Sequence, residues 1–144
     1  MDSPPIDIEA IDRYGDGDYH VVVLQRKATP TDYDHFIVVN ITSVTTFTVT
    51  SAVTLTTGAC GLVTGNVRGD ARYDIGILSA GPNPESEPGM VEIFTGPLFD
   101  TSMQLYVGLG ASSIVGGDFD ANGMVDLAIS NRYDSDIDVF LAPF

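Results

Sequence analysis

Ile114-Val115-Gly116-Gly117-Asp118-Phe119-Asp120-Ala121-Asn122-Gly123-Met124-Val125-Asp126-Leu127-Ala128-Ile129 is the last of three copies of one pattern. The first copy is Ile8-Glu9-Ala10-Ile11-Asp12-Arg13-Tyr14-Gly15-Asp16-Gly17-Asp18-Tyr19-His20-Val21-Val22-Val23. The second is Leu62-Val63-Thr64-Gly65-Asn66-Val67-Arg68-Gly69-Asp70-Ala71-Arg72-Tyr73-Asp74-Ile75-Gly76-Ile77. They align without a gap, and their starts lie 54 and 52 residues apart. Each copy joins two short apolar runs through a loop of Asp, Asn and Gly, the pattern of two strands and a turn.

Outward from these copies, β-branched and apolar runs continue and no helical period interrupts them. Strands are expected at 6–11, 20–25, 35–41, 46–56, 61–64, 74–78, 90–94, 103–107, 113–115, 126–129 and 137–141. A second repeat pairs Val91-Glu92-Ile93-Phe94-Thr95-Gly96-Pro97 with Ile137-Asp138-Val139-Phe140-Leu141-Ala142-Pro143. Each unit then reads strand, polar loop, strand, longer loop, strand, turn, strand. Four antiparallel strands in about 50 residues is a propeller blade. The expected architecture is all-β, a single repeat domain over 1–144. Blade 1 spans about 5–58, blade 2 about 59–111 and a partial blade 3 about 112–144. Propellers close with about 4–8 blades. Two complete blades and part of a third therefore imply an incomplete propeller, a fragment, or self-assembly that completes a ring. The uncharged, Pro-free stretch 45–57 is an edge liability in any of these.

The chain has 144 residues, 44% of them hydrophobic, enough for one domain with a core. Twenty acidic residues against six basic ones give a formal charge of -14. That charge repels phosphate backbones and anionic lipid, so neither nucleic acid nor membrane is expected as a partner, and it favours cations. No apolar run approaches the ~20 residues of a membrane-inserted helix. Met1-Asp2-Ser3-Pro4-Pro5 shows no basic segment followed by an apolar one, so no signal peptide is read there. The expectation is a chain that stays inside the cell or a piece of something longer. Cys60 is the single cysteine, so no intrachain disulfide forms, and its expected role is that of a small buried hydrophobe.

The third loop carries the clearest chemistry. Asp118, Asp120, Asn122 and Asp126 occupy its positions 1, 3, 5 and 9, and Met124 at position 7 can add a backbone carbonyl. Alternate positions of a tight turn aim their oxygens at one centre. Calcium takes about 6–8 oxygens, whereas magnesium prefers few protein ligands and keeps its water. Gly123 at position 6 permits the sharp bend. The alternative is a hairpin whose Asp and Asn bond their own backbone. Calcium is favoured because three crowded carboxylates repel one another without a cation. An EF-hand does not fit, since Ile129 stands at position 12. The sister loops are weaker metal candidates. The first offers Asp12 and Asp16 but has Tyr14 and His20 at positions 3 and 9. The second offers Asn66, Asp70 and Asp74, but Arg68 at position 3 can neutralise its carboxylates as an internal ion pair.

At residues 117–129, together with Val91–Pro97, the sequence resembles the FG-GAP repeat family, the blades of integrin α heads and related secreted proteins. The resemblance implies a seven-bladed propeller with the calcium loop between the first two strands of a blade. Asp118, Asp120, Asn122 and Asp126 match its ligand positions, and Met124 its carbonyl. It also implies an extracellular or cell-surface setting, in which calcium rigidifies the lower face while protein partners bind elsewhere.

Other features have plainer readings. Arg68-Gly69-Asp70 spells an integrin-bound tripeptide, but it lies inside the second loop and reads as a turn. Asn40-Ile41-Thr42 is a glycosylation sequon inside an expected strand. His20 and His35 join no nucleophile and read as strand residues. The expected function is a non-catalytic, calcium-binding scaffold for protein interaction, adhesive in type. A propeller lectin with a glycan partner is the alternative, weakened by the absence of tryptophan. An accessory piece of a hydrolase is the third reading.

Overall fold

The computed structural model describes residues 3–27, 33–55 and 58–144. Among them the chain is all β. It forms eleven strands in three antiparallel sheets of four, four and three strands. Sheet 1 is β1 (Pro5–Asp12), β2 (Tyr19–Gln25), β3 (His35–Ser43) and β4 (Thr46–Thr54). Sheet 2 is β5 (Ala59–Gly65), β6 (Asp74–Ser79), β7 (Pro88–Phe94) and β8 (Ser102–Leu109). Sheet 3 is β9 (Ala111–Gly117), β10 (Asp126–Asn131) and β11 (Asp136–Phe140). In each sheet the spatial order follows the chain, and none closes into a barrel. These are four-stranded blade-type meanders, two complete and a third with three strands.

All eleven expected strands form, with shifted ends. The strand expected at 46–56 stops at Thr54, and Thr56 lies outside the described residues. β5 begins at Ala59 rather than 61, because Ala59 pairs with Ser79 across a bulge. The link between third and fourth strands is a two-residue turn in sheet 1 but runs from Thr95 to Thr101 in sheet 2.

The sheets stack face to face, with the first strands β1, β5 and β9 side by side. The Thr64 hydroxyl donates to the Ala10 carbonyl at 2.7 Å, and the Leu62 N–H donates to Asp7 Oδ2 at 3.0 Å, tying β5 to β1. The side-chain alternation of a strand then feeds two cores. Ile75, Ile77 and Phe94 of sheet 2 join Val22, Leu24, Phe36 and Val38 of sheet 1. Leu78, Val91 and Ile93 point the other way and join Leu127 and Ile129 of sheet 3. All six residues of β6 are buried, as expected of a strand covered on both faces. Gly76 has no side chain because a Cβ there would sit 2.8 Å from Val63 Cγ1.

Phe36 anchors the first core, edge-on to Phe94 and Phe99 with ring centroids 5.1 and 6.2 Å away. Arg13 is buried beside it, its guanidinium carbon 5.1 Å above the Phe99 ring. Its Nε donates to the Pro97 carbonyl at 2.6 Å and its Nη atoms donate to the Thr50 and Ser51 hydroxyls. One arginine thus joins both sheets. Asp34, also buried, accepts the N–H groups of Lys27 and Ala59 at 2.8 Å each, tying sheet 1 to the start of β5. Cys60 packs partly buried against the second core, and burial pushes its thiol pKa up.

Candidate metal centre

The three repeat loops connect the first two strands of each sheet, and they share one backbone path. Position 4 is left-handed in all three, at Gly15 (φ 71°), Gly69 (φ 76°) and Ala121 (φ 62°). Position 6 is left-handed too, at Gly17 (φ 88°), Ala71 (φ 62°) and Gly123 (φ 83°). Glycine accepts this region freely, whereas alanine does so at a cost of about 1–2 kcal/mol.

Shared hydrogen bonds hold the path. The residue at position 1 caps the turn: Asp12 accepts the N–H groups of Gly15, Asp16 and Gly17, Asn66 accepts that of Gly69, and Asp118 accepts those of Asn122 and Gly123. The position-5 side chain accepts the N–H two residues on. Asp16 receives Asp18, Asp70 receives Arg72, and Asn122 receives Met124, at 2.8–3.1 Å. These are Asx turns, and they occur in every loop whatever else differs.

What differs is the pair at positions 3 and 9. In the first loop Tyr14 meets His20 as two rings, 5.9 Å apart and edge-on. In the second loop Arg68 meets Asp74 as an ion pair. Arg68 Nη2 stands 3.2 Å from Asp74 Oδ1 and 2.9 Å from Asp70 Oδ2. In the third loop Asp120 faces Asp126, two like charges. Asp118, Asp120 and Asp126 each bring a carboxylate oxygen within 4.8 Å of the other two. Two oxygens bound to one calcium ion at about 2.3–2.6 Å can be no more than about 5 Å apart, so this spacing fits one shared ion. Asp118 and Asp120 are exposed and Asp126 is fully buried. Among the described residues the ion pairs are those of Arg68, so no basic side chain neutralises this trio. Unscreened, two such charges at 4.8 Å repel by about 1 kcal/mol in water and about 3 kcal/mol at the effective dielectric of a protein surface.

Asp126 does a second job that its spacing did not announce. Its Oδ2 accepts the Phe119 N–H at 2.6 Å and its Oδ1 accepts the Ala142 N–H at 2.7 Å. Asp74 does the same in the second repeat, accepting the Gly96 N–H at 2.9 Å. Gly96 and Ala142 precede the equivalent prolines 97 and 143, so the position-9 aspartate clamps the exit of the third strand in both repeats. The second repeat pair, Val91–Pro97 with Ile137–Pro143, marks these two segments as equivalent but not their contact with the aspartate. In the first repeat His20 takes this place, buried, with no partner for Nδ1 among the described residues.

The remaining ligand candidates lie in the same turn. Asn122 sends its amide nitrogen to the Ala142 carbonyl at 2.8 Å. Met124 leads into Val125, whose N–H donates to the Asn66 carbonyl at 2.9 Å and joins the second and third loops. Asp12 spends both carboxylate oxygens on its own turn, and Asp16 is exposed beside it. Asp70 and Asp74 hold the Arg68 guanidinium, while Asn66 caps the turn at the Gly69 N–H. Arg68-Gly69-Asp70 is therefore a turn whose charges face each other. Asn40 lies within β3, opposite Thr48 of β4. No family model matches the chain, and no curated protein matches it.

Proposed function

We propose that the chain is a non-catalytic, calcium-stabilised scaffold of FG-GAP propeller type that presents protein-interaction surfaces. In this reading Asp118, Asp120 and Asp126, with Asn122 and the Met124 carbonyl, hold one calcium ion. The observation that carries it is the pair at positions 3 and 9. One backbone path recurs three times, and two copies satisfy that pair internally, by ring contact or by ion pair. The third leaves carboxylates converging on a point with no cationic side chain. A divalent cation supplies the missing charge, and oxygen-only donors suit calcium. Magnesium, which keeps most of its water, fits a three-carboxylate turn less well. The ion would lock the β9–β10 loop against the Phe119 and Ala142 amides, which stiffens the end of the stack where all three loops lie.

Calorimetric calcium titration tests this, with Asp120→Ala as the informative variant. Asp126→Ala would also strip two backbone N–H groups of their acceptor, whereas Asp120 accepts one long bond, 3.2 Å from the Asn122 N–H. One site per chain, a higher melting temperature with calcium, and loss of both in Asp120→Ala are expected. Binding only to the folded state raises stability by about 2.7 kcal/mol at a hundredfold excess over Kd. No heat and no thermal shift in the unsubstituted chain would sink the reading.

A further inference from the structure

The repeat loops differ at one further position. Position 5 is aspartate in the first two, Asp16 and Asp70, and asparagine in the third, Asn122. Glycine follows it, so Asn122-Gly123 is the one Asn-Gly pair of the chain. That pair has a chemistry of its own. The Gly123 nitrogen, on losing its proton, can attack Asn122 Cγ, closing a five-membered imide and expelling the side-chain nitrogen as ammonia. Water then opens the ring at either carbonyl. The product is aspartate or its isomer, in which the main chain runs through Cβ. The net exchange is an amide and a water for a carboxylate and an ammonium ion. The other four asparagines, at 40, 66, 83 and 131, precede Ile41, Val67, Pro84 and Arg132. Branched and long side chains shield the attacking nitrogen, and proline has no N–H to lose. Glycine leaves it unshielded. Both Asn122 and Gly123 are exposed, and a Cβ on Gly123 would meet nothing within 4 Å.

In the closed loop both reacting groups are held. The Gly123 N–H donates to Asp118 Oδ2 at 2.9 Å. Asn122 Oδ1 accepts the Met124 N–H, and Nδ2 donates to the Ala142 carbonyl, each at 2.8 Å. Turning Cγ onto the Gly123 nitrogen breaks these bonds. We propose that Asn122-Gly123 is a deamidation site that the third loop holds shut, and that its reaction is a one-way switch of that loop. The reaction proceeds while the loop is open, at a rate set by the open fraction. A bound ion lowers that fraction further, and this part alone rests on the calcium reading. Either product changes the loop. Aspartate at position 5 keeps the turn, as Asp16 and Asp70 do. It sets a carboxylate against the Ala142 carbonyl, where an N–H donor stood. The isomer lengthens the main chain by one carbon, so it cannot follow the path the three loops share. The segment after β11, pinned at Ala142 by Asn122 and Asp126, is loosened in both cases.

The test is peptide mass spectrometry of the purified chain after storage in warm neutral buffer. Three samples are compared: folded with calcium, folded in chelator, and unfolded in guanidinium chloride. In the unfolded sample Asn122 should convert first, ahead of the other four asparagines. Gly123→Ala should suppress that product, and Ala71 at position 6 of the second loop shows that the path accepts alanine there. Folded in chelator, conversion should be about tenfold slower than unfolded, because the loop must first open. Calcium at a hundredfold excess over Kd should slow it about a hundredfold more, by mass action on the closed loop. Asn122→Asp, the aspartate product made directly, should melt below the parent in chelator. An unfolded chain that keeps Asn122 intact overturns the site. Equal rates folded in chelator and unfolded overturn the hold of the loop. An unchanged melt of Asn122→Asp overturns the switch. If calcium binds by titration yet leaves the folded rate unchanged, gating by the ion is overturned. If calcium does not bind at all, the calcium reading falls, while the comparison of chelator with guanidinium still decides the hold of the loop.

Discussion

Replacing Arg68 with methionine removes the cation of the second loop while keeping most of the side-chain volume. Arg68 Nη2 lies 3.2 Å from an oxygen of Asp74, whose side chain is 1% exposed, and 2.9 Å from one of Asp70. At an effective dielectric of about 20, charges 3.2 Å apart attract by about 5 kcal/mol. Some of that is offset, because the arginine side chain is 31% exposed and its hydration was partly given up to form the pair. Removing one partner of a buried pair costs about 3–5 kcal/mol. Asp74 keeps the Gly96 N–H, which places the expected loss near the lower end, about 3 kcal/mol. For a chain of this size that is a fall of about 10 °C in melting temperature, read by calorimetry in chelator. Arg68→Asp goes further, placing a carboxylate where the third loop has Asp120. In chelator it should be less stable than Arg68→Met. Calcium should restore much of its stability, and titration should show one more site than the parent chain. If Arg68→Met melts within about 2 °C of the parent, or Arg68→Asp gains no site, then the pair at positions 3 and 9 does not set the state of these loops.

Other outcomes follow from the same geometry. Phe36→Ala should lose about 3–5 kcal/mol in chemical denaturation, because a buried ring touching Phe94 and Phe99 leaves a cavity between sheets 1 and 2. Ala121→Gly should raise stability by about 0.5–1 kcal/mol, since relief of a left-handed alanine outweighs the extra freedom of the unfolded chain. Asp126→Ala should destabilise the chain even in chelator, by about 2–4 kcal/mol, because two backbone N–H groups lose a charged acceptor; Asp120→Ala in chelator should not. Cys60, partly buried and with its thiol pKa raised by that burial, should react with a disulfide reagent at pH 8 more slowly than a free thiol, and unfolding should abolish the difference.

Much of the architecture was legible because it rests on local, repeated information. Apolar runs with turn residues between them are strands wherever they occur, and the gapless repeat fixed how they group into sheets. Strand ends were less legible. Ala59 and Ser79 belong to strands because they pair with each other across a bulge, which neither residue announces alone. The carboxylates of the third loop were visible through their spacing, since alternate positions of a turn face one way. The ion pair in the second loop was foreseeable too, because Arg68 stands where Asp120 stands in the third.

The clamp was not visible. Asp126 binds Ala142 across 16 residues and Asp74 binds Gly96 across 22, and such contacts depend on which way the third strand of each sheet returns. Nor did the sequence show that Arg13, in the first loop, would reach Pro97 of the next sheet. By itself the sequence determined the elements, their repeat and the charges of each loop, because these are set by neighbours in the chain. Only the tertiary structure decided which faces are covered, which aspartate is buried, and where the apolar faces at the two ends of the stack lie open. Those depend on stacking sheets whose partners are about 50 residues apart, and only folding brings such partners together.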